Sequence, residues 1–355
     1  MEQLGSFNLQ HLIGKSTFSN TEIFLTKKFK KDCLCVLKLT DLDNTSTEKL
    51  EIITNELRMN RNLSHKNIYT HNDCFTIGSK LLVIGDLMKF GSCTDVINSH
   101  FLSGIPERPT SFILKSVLKA LKYLHSCGII HRGVKGGHIL ISDGNLVKLG
   151  GNRNCVSFIS STGKAKMVHK FLKHDHFYLP WMSPESLQQN MEGYQSKSDI
   201  YSLGITACEL ANGFAPFTDM PSTQMLLDKL QGTKPCLLDQ KTMPTCNLSQ
   251  VDVNSDPMMQ FQLIRQSRLF SNGFHDFVSQ CLNRYPSHRP PVNKLLQHKF
   301  FDQSAGVDLT KELQPLLPIN ELSQLNDDDQ SSTDLNLKIS ELKLDEWDFK
   351  LSTSL

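Results

Sequence analysis

The hydrophobic pattern of this chain changes its period along the sequence, and that change limits the fold more than any other feature. Residues 8–40 and 80–87 place short apolar runs between polar turns, which is typical of strands and hairpins. From residue 93 onward the apolar residues recur at helical spacing. The clearest helical faces lie at 112–124, 198–212 and 274–283. The sequence therefore predicts an α+β fold in which a small β-rich lobe precedes a larger helical lobe.

The pattern and the local composition together predict three parts. We expect an N-lobe over 8–88, a C-lobe over 89–301 and a flexible tail over 302–355. The C-lobe contains a predicted inserted loop at about 238–270, which is rich in Gln, Asn, Ser and Met. The tail is polar and carries the acidic run Asp327–Asp329, a composition typical of chains that do not pack a core.

Charge and hydropathy exclude two classes of partner. The chain has 38 basic and 36 acidic residues, a formal net charge of +2, which gives no electrostatic case for nucleic acid or a membrane surface. No apolar run approaches the ~20 residues that a membrane-spanning helix needs. We therefore expect partners that are neither nucleic acid nor membrane.

The cysteines and histidines predict no metal site and no disulfide framework. Ten cysteines occur without a CxxC pair, which is typical of reduced thiols inside the cell. His169, His174 and His176 lie close in sequence but lack the partner cysteine or spacing of a metal site.

Short motifs in a fixed order are the most specific signal in the chain. They are residues 35–38 (CVLK), the helix position Glu56, and residues 131–135 (HRGVK), 183–185 (SPE), 198–204 (SDIYSLG) and 289–290 (RP). Their order and spacing resemble those of protein kinases over residues 8–301. The resemblance implies a bilobed protein-kinase fold.

The residues that perform phosphoryl transfer in kinases are replaced at three positions. Kinases use a catalytic-loop aspartate, together with an asparagine and an aspartate that hold magnesium. At the matching positions this chain has Gly133, His138 and Gly151. Magnesium prefers oxygen ligands, whereas glycine offers no side-chain ligand and imidazole is a poor one. The resemblance therefore implies a pseudokinase with no catalytic residue and no metal.

Other positions of the kinase pattern are retained. Lys38 matches the lysine that contacts the phosphates, and the resemblance implies that it pairs with Glu56. Glu185 and Arg289 match a buried ion pair of the large lobe, and Asp199 matches the residue that accepts hydrogen bonds from the catalytic-loop backbone. We therefore expect the structural residues of an active kinase without its reaction chemistry.

Nucleotide binding is predicted from positions that are partly degraded. Ile13 and Gly14 fit the glycine-rich loop, in which only one of three glycines is kept. Asp86 to Met88 would supply the hinge backbone that contacts adenine. Gly85 falls near the gatekeeper position and would leave the back of the nucleotide pocket open. The cofactor that this set implies is ATP without magnesium.

Arg153 ends the degraded motif 151–153, and two interpretations of it stay open. Its guanidinium could bind phosphate oxygens and replace part of the missing metal charge, as a nucleotide-binding residue. It could equally tether the activation segment 151–185. Unchanged ATP affinity in an Arg153→Ala variant would rule out the first interpretation.

A closer resemblance is carried by residues 131–142, 179–185, 197–213 and 219–227. These segments resemble the sterile-twenty-related adaptor proteins, STRAD, over nearly the whole kinase-like part. Such proteins end in a Trp-Glu-Phe motif that docks into an armadillo-type scaffold of the calcium-binding-protein-thirty-nine family. Trp347, Asp348 and Phe349 resemble that motif, with Asp in place of Glu and six residues after it. Trp and Phe two residues apart can both anchor in apolar pockets.

The resemblance implies an allosteric adaptor that is cytoplasmic and nuclear. It would bind a liver-kinase-B-like serine/threonine kinase together with the scaffold and favour the active state of that kinase. Two alternatives stay open. The chain could be a weak residual kinase that uses Lys38, which a phosphorylation assay with Lys38→Met as control would test. It could also be a decoy or scaffold that binds kinases without changing their turnover.

Overall fold

A computed structural model describes residues 7–16, 21–28, 33–170, 176–188, 191–243 and 263–314. The chain divides into two compact units. The first, here the sheet unit, contains the described residues up to Ser64 and Tyr69–Phe90. The second, the helical unit, contains His65–Ile68 and the described residues from Gly91 onward. The predicted docking residues Trp347, Asp348 and Phe349 lie outside the described residues.

The sheet unit is one antiparallel sheet with a single long helix. Its strands are β1 (Phe7–Ser16), β2 (Thr21–Lys28), β3 (Cys33–Asp41), β4 (His71–Ile77) and β5 (Lys80–Asp86), in the order β1-β2-β3-β5-β4. Alternate residues of β3 point to one face because side chains alternate along a strand. Cys35, Leu37 and Leu39 therefore form a core with Phe24, Ile77, Leu82 and Ile84. Helix α1 (Thr47–Asn62) connects β3 to β4.

The helical unit contains the remaining helices and two short β-ribbons. Its α-helices with both ends described are α2 (Cys93–His100), α3 (Glu107–Ser126), α4 (Pro184–Gln188), α5 (Lys197–Asn212), α6 (Ser222–Gln231), α7 (Asn272–Cys281), α8 (Val292–Leu295) and α9 (Leu309–Glu312). The ribbons pair β6 (Ile129–Ile130) with β9 (Val156–Ser157), and β7 (Ile139–Ser142) with β8 (Leu146–Leu149). In the part of the chain that the structure describes, no helix is long and apolar enough to cross a membrane.

Helix α5 lies at the centre of the helical unit. Every residue from Ser198 to Asn212 is buried, polar ones included. Gly204 lies so close to the end of α7 that an added Cβ would come within 2.7 Å of the Leu282 side chain. Buried polar groups are costly unless they are hydrogen-bonded, so the polar residues of α5 need partners in the segments around it.

Two predicted boundaries differ from the structure. The predicted tail begins at 302, but residues up to Gln314 are packed, with Leu309 and Leu313 each 1% exposed. Asn145 fixes this segment by bonding the backbone at Val307 and Leu309. The polar composition of 302–355 concealed the buried residues Val307, Leu309 and Leu313.

The predicted inserted loop at 238–270 is anchored at both ends. Asp239 is fully buried and accepts hydrogen bonds from the Phe270 backbone at 2.9 Å and from His275 at 2.8 Å. Arg268 donates to the Leu238 carbonyl at 2.7 Å. Residues 263–267 are helical, and residues 244–262 lie outside the described part.

Candidate functional site

In the sheet unit, the strand lysine and the helix glutamate have different partners from those expected. Glu56 Oε1 lies 3.3 Å from His71 Nε2, and Lys38 Nζ lies 5.9 Å from the centroid of the Tyr69 ring. The predicted ion pair between Lys38 and Glu56 is thus not formed between these described residues. Burial lowers the pKa of His71, although the Glu56 contact opposes that shift. His71, the first residue of β4, is therefore the partner of Glu56 in place of Lys38.

The predicted phosphate-loop residues lie on β1 next to a register irregularity. Gly14 pairs with Ile23 of β2, and the register shifts between Leu12 and Gly14, which places Ile13 at the irregularity. Among the described residues, a Cβ at position 14 would meet only the Ile23 side chain, at 3.9 Å. Packing alone therefore does not require glycine there.

The predicted hinge residues begin at Asp86, the last residue of β5. Met88 is buried, and the Asp86 carbonyl accepts a hydrogen bond from the Tyr69 hydroxyl at 3.0 Å. An added Cβ at Gly85 would lie 2.2 Å from that hydroxyl. The expectation that Gly85 leaves open space is therefore wrong: the Tyr69 side chain fills it.

In the helical unit, Asp199 organises the loop that resembles a catalytic loop. Its carboxylate accepts hydrogen bonds from the backbone amides of His131 and Arg132, each at 2.9 Å, and from His125 Nε2 at 2.9 Å. Burial alone would raise the pKa of Asp199, but these contacts outweigh it and hold the pKa below its ordinary value. The aspartate therefore stays ionised and fixes the loop backbone.

The structure brings Glu185 and Arg289 together as a bidentate ion pair. Arg289 donates to the two Glu185 oxygens at 2.6 and 2.8 Å, and its guanidinium is fully buried. Arg289 also donates to the carbonyls of Asn283, Arg284 and Lys197. Because every side of the guanidinium has an acceptor, the charge is compensated in the interior.

Two further buried charges hold the same region, and the motif comparison missed both. Glu209 on α5 accepts from the Gly136 amide at 2.9 Å and from Trp181 Nε1 at 2.8 Å, and burial raises its pKa. Lys229 on α6 donates to the carbonyls of Leu179, Pro180 and Met182, and burial lowers its pKa to about 7. A charged residue inside an apolar helical run is the sequence signal that could have found Glu209.

The three degraded positions lie together around one imidazole. His138 Nδ1 is 2.7 Å from the Gly133 carbonyl oxygen. An added Cβ would lie 3.3 Å from this nitrogen if built at Gly133 and 2.3 Å from it if built at Gly151, which has a φ of 77°. The His138 ring therefore occupies the space that a side chain at Gly151 would need, and it lies in tight contact with the space beside Gly133.

Hydrogen bonds continue from His138 into the activation segment. The Tyr178 hydroxyl lies 3.2 Å from His138 Nε2 and accepts a hydrogen bond of 2.7 Å from the Arg153 guanidinium. Burial, the largest cause, and the nearby cations Lys135 and Arg153 hold the pKa of His138 well below its ordinary value. We therefore assign a neutral ring whose Nδ1–H donates to Gly133 and whose Nε2 accepts from Tyr178. Arg153 thus contacts the activation segment, as its tether interpretation expects.

Similarity to known proteins shows the family to which the chain belongs. The protein kinase domain family model matches residues 7–301, which confirms the predicted fold. The STE20-related kinase adapter protein alpha of Mus musculus is 40% identical over 365 residues, which cover 97% of this chain and 85% of that protein. The STE20-related kinase adapter protein beta of Homo sapiens is 36% identical over 318 residues, which cover 84% of this chain and 75% of that protein. The chain therefore belongs to the STE20-related kinase adapter proteins, a pseudokinase family.

Proposed function

We propose that this chain is a catalytically inactive adaptor that binds a liver-kinase-B-like serine/threonine kinase and an armadillo-type scaffold of the calcium-binding-protein-thirty-nine family, and activates that kinase allosterically. The observation that supports inactivity most strongly is the His138 ring against Gly133 and Gly151. No carboxylate is present at either position, and the ring fills the space where one would stand at Gly151 and crowds the space at Gly133. Positioned proton transfer alone is worth ~10²–10⁴-fold in rate, so its loss together with the metal ligands leaves very little transfer.

The buried charges support a role in binding. Asp199 holds the loop backbone at 131–132, Glu209 joins Gly136 to Trp181, and Lys229 holds 179–182. These contacts hold the activation-segment side of the helical unit rigid without serving any reaction. A rigid surface can stabilise one state of a partner, and it activates that partner only if it binds the active state more tightly than the inactive one.

The experiment that tests this proposal is the peptide-phosphorylation rate of a liver-kinase-B homologue with scaffold, with and without this chain. A kinase-dead partner is measured in parallel. We expect a large rise in rate that is seen only with the live partner. A stable complex without a rise would favour the decoy alternative, and phosphorylation with the dead partner would establish the residual-kinase alternative.

The tail docking motif is a separate part of the proposal. We propose that Trp347 and Phe349 insert into apolar pockets of the scaffold, while Asp348 replaces the glutamate of the family motif. Trp347→Ala and Phe349→Ala should each weaken scaffold binding at least tenfold, or ~1.4 kcal/mol. Lys350→Ala, which changes the neighbouring charge and no anchor, is the matched control and should bind nearly as well as the parent. Equal binding by all four chains would contradict the docking proposal.

We also propose that the chain binds ATP without magnesium. Ile13, Gly14, Lys38, Asp86 and Met88 would contact the nucleotide, and the resemblance adds Glu56. Arg153, the other candidate phosphate contact, instead donates to the Tyr178 hydroxyl. Because no carboxylate stands at 133 or 151, magnesium should contribute nothing to affinity. Calorimetric titration should therefore yield the same affinity in magnesium and in EDTA, and weaker binding by Lys38→Met. An affinity that rises tenfold in magnesium would contradict this part.

The cellular location proposed from the resemblance is cytoplasmic and nuclear. A fluorescent fusion of the full chain should appear in both compartments. Confinement to a membrane-bound organelle would contradict it.

A further inference from the structure

Strand pairing on both sides fixes the backbone of Gly85 in the sheet. It pairs with Val36 of β3 on one side and with His71 of β4 on the other. The Tyr69 ring stands directly above it: an added Cβ would be 2.2 Å from the hydroxyl oxygen and 3.0 Å from the ring carbon that carries it. Position 85 must therefore stay glycine for as long as Tyr69 keeps this place.

The Tyr69 side chain is held in that place from several directions. It is 7% exposed, and its hydroxyl donates to the Asp86 carbonyl at 3.0 Å. The His71 ring meets it edge-on, with centroids 6.1 Å apart, and Lys38 Nζ lies 5.9 Å from its ring centroid. Burial raises the pKa of Tyr69, so the phenol remains a protonated donor throughout the physiological range. A large aromatic fixed by packing and by a hydrogen bond is costly to displace.

The hydrogen bond from Tyr69 matters because its acceptor, the Asp86 carbonyl, belongs to the predicted hinge. The kinase resemblance assigns Asp86 to Met88 as the hinge backbone that contacts adenine. The amino group of adenine is a hydrogen-bond donor and needs an acceptor such as a hinge carbonyl. Tyr69 already donates to the Asp86 carbonyl, and its ring closes the space beside Gly85.

We propose that Tyr69 is the specificity-determining residue of the adenine site, in which it replaces the side chain that Gly85 lacks. It excludes adenine derivatives with a bulky group on the amino nitrogen. It also shares the two lone pairs of the Asp86 carbonyl with adenine, which weakens the hydrogen bond to the amino group. This inference rests on the nucleotide-binding part of the proposed function. It differs from the expectation of an open pocket, because removal of Tyr69 is then required to open it.

The first test measures the contact without any nucleotide. Gly85→Ala should lower stability in urea denaturation of the parent chain, because the new Cβ collides with the Tyr69 hydroxyl. In a Tyr69→Val chain the same substitution should cost much less. Gly273→Ala, whose Cβ would have ordinary contacts at 3.6 Å, is the matched control. An equal loss from Gly85→Ala in the two backgrounds would overturn the proposed packing.

The second test measures selectivity with ATP and with N6-benzyl-ATP, by calorimetric titration of the full chain in EDTA. Tyr69→Val should bind N6-benzyl-ATP at least about tenfold more tightly than the parent, since apolar groups that fit a pocket discriminate by that order. Tyr69→Phe removes only the hydroxyl, so it should bind ATP more tightly than the parent and still exclude the benzyl compound. Tyr201→Phe, a buried tyrosine of the helical unit, is the control and should behave as the parent.

The outcomes separate this inference from the proposal on which it rests. If ATP binds and the parent accepts N6-benzyl-ATP as well as Tyr69→Val does, the role of Tyr69 is overturned and nucleotide binding stands. If no chain binds ATP, nucleotide binding is overturned together with the adenine role of Tyr69. The chain should fold with Phe at position 69 even if Val destabilises it, so the hydroxyl comparison remains measurable.

Discussion

Two sets of positions of the kinase pattern in the helical unit differ in whether a charged side chain is kept. At Glu185, Arg289 and Asp199 the charged side chains are kept and hydrogen-bonded, with Arg289 and Asp199 fully buried and the Glu185 side chain 12% exposed. At Gly133 and Gly151 no charge is present, and the neutral His138 ring fills the space beside Gly151 and lies close to Gly133. The difference shows that burial is tolerated where a charge holds segments together. Where a charge would serve only the reaction, the chain has replaced it with packing.

The largest effect should come from breaking the buried ion pair. Arg289→Met leaves the Glu185 carboxylate without its partner and should cost ~3–5 kcal/mol of unfolding free energy. Urea denaturation followed by Trp181 fluorescence, in a Trp347→Phe background, measures the helical unit alone. Arg108→Met removes an exposed arginine paired to Glu312 and is the control, with an expected loss of at most ~1 kcal/mol. Similar losses in both variants would contradict the assignment of Arg289 as a structural residue.

A smaller effect should come from filling the space at Gly151. Gly151→Ala places a side chain at positive φ, which costs ~1–2 kcal/mol, and adds a collision with His138. Combined with His138→Ala, the collision disappears and only the backbone cost remains. The double-mutant cycle should therefore show a coupling of ~0.5–3 kcal/mol. Additive losses would mean that His138 does not fill this space in solution.

The tether from Arg153 should contribute less again. Arg153→Met removes the donor to the Tyr178 hydroxyl and should cost ~1 kcal/mol. It should also speed proteolysis within the activation segment. ATP affinity should stay unchanged, because the guanidinium is engaged by Tyr178. A marked loss of affinity with unchanged proteolysis would instead favour the phosphate-binding interpretation.

The pH dependence of stability sharpens the account of His138. Its folded pKa lies well below the ordinary 6.5, so below that pH the unfolded chain binds a proton that the folded chain does not. Stability should therefore fall as pH drops through the window below 6.5, by at most ~1.4 kcal/mol per pH unit from this group. His138→Gln keeps a donor and an acceptor without titrating, so it should show a shallower fall. His71 and His131 have lowered pKa values in both chains, so the difference isolates His138.

The sequence indicated the fold and the degraded positions because both are local. Periodicity predicted α3, α5 and α7, and the motifs could be read directly at Gly133, His138 and Gly151. The sequence did not indicate which side chains meet across the fold. Glu56 of α1 contacts His71 and not Lys38, and Tyr69, which precedes β4, fills the space at Gly85. Contacts between segments that are separate in sequence decide both. Motif spacing carries no information about such replacements.

Transfer of radiolabelled γ-phosphate from ATP by the purified chain tests most directly whether this kinase fold has lost its phosphoryl-transfer activity. The assay contains magnesium, a generic peptide substrate and no partner kinase, with Lys38→Met as the matched control. We expect incorporation by the parent chain to equal that of Lys38→Met, at background. Incorporation well above background that is lost in Lys38→Met would contradict the claim and show that another group supplies the missing chemistry.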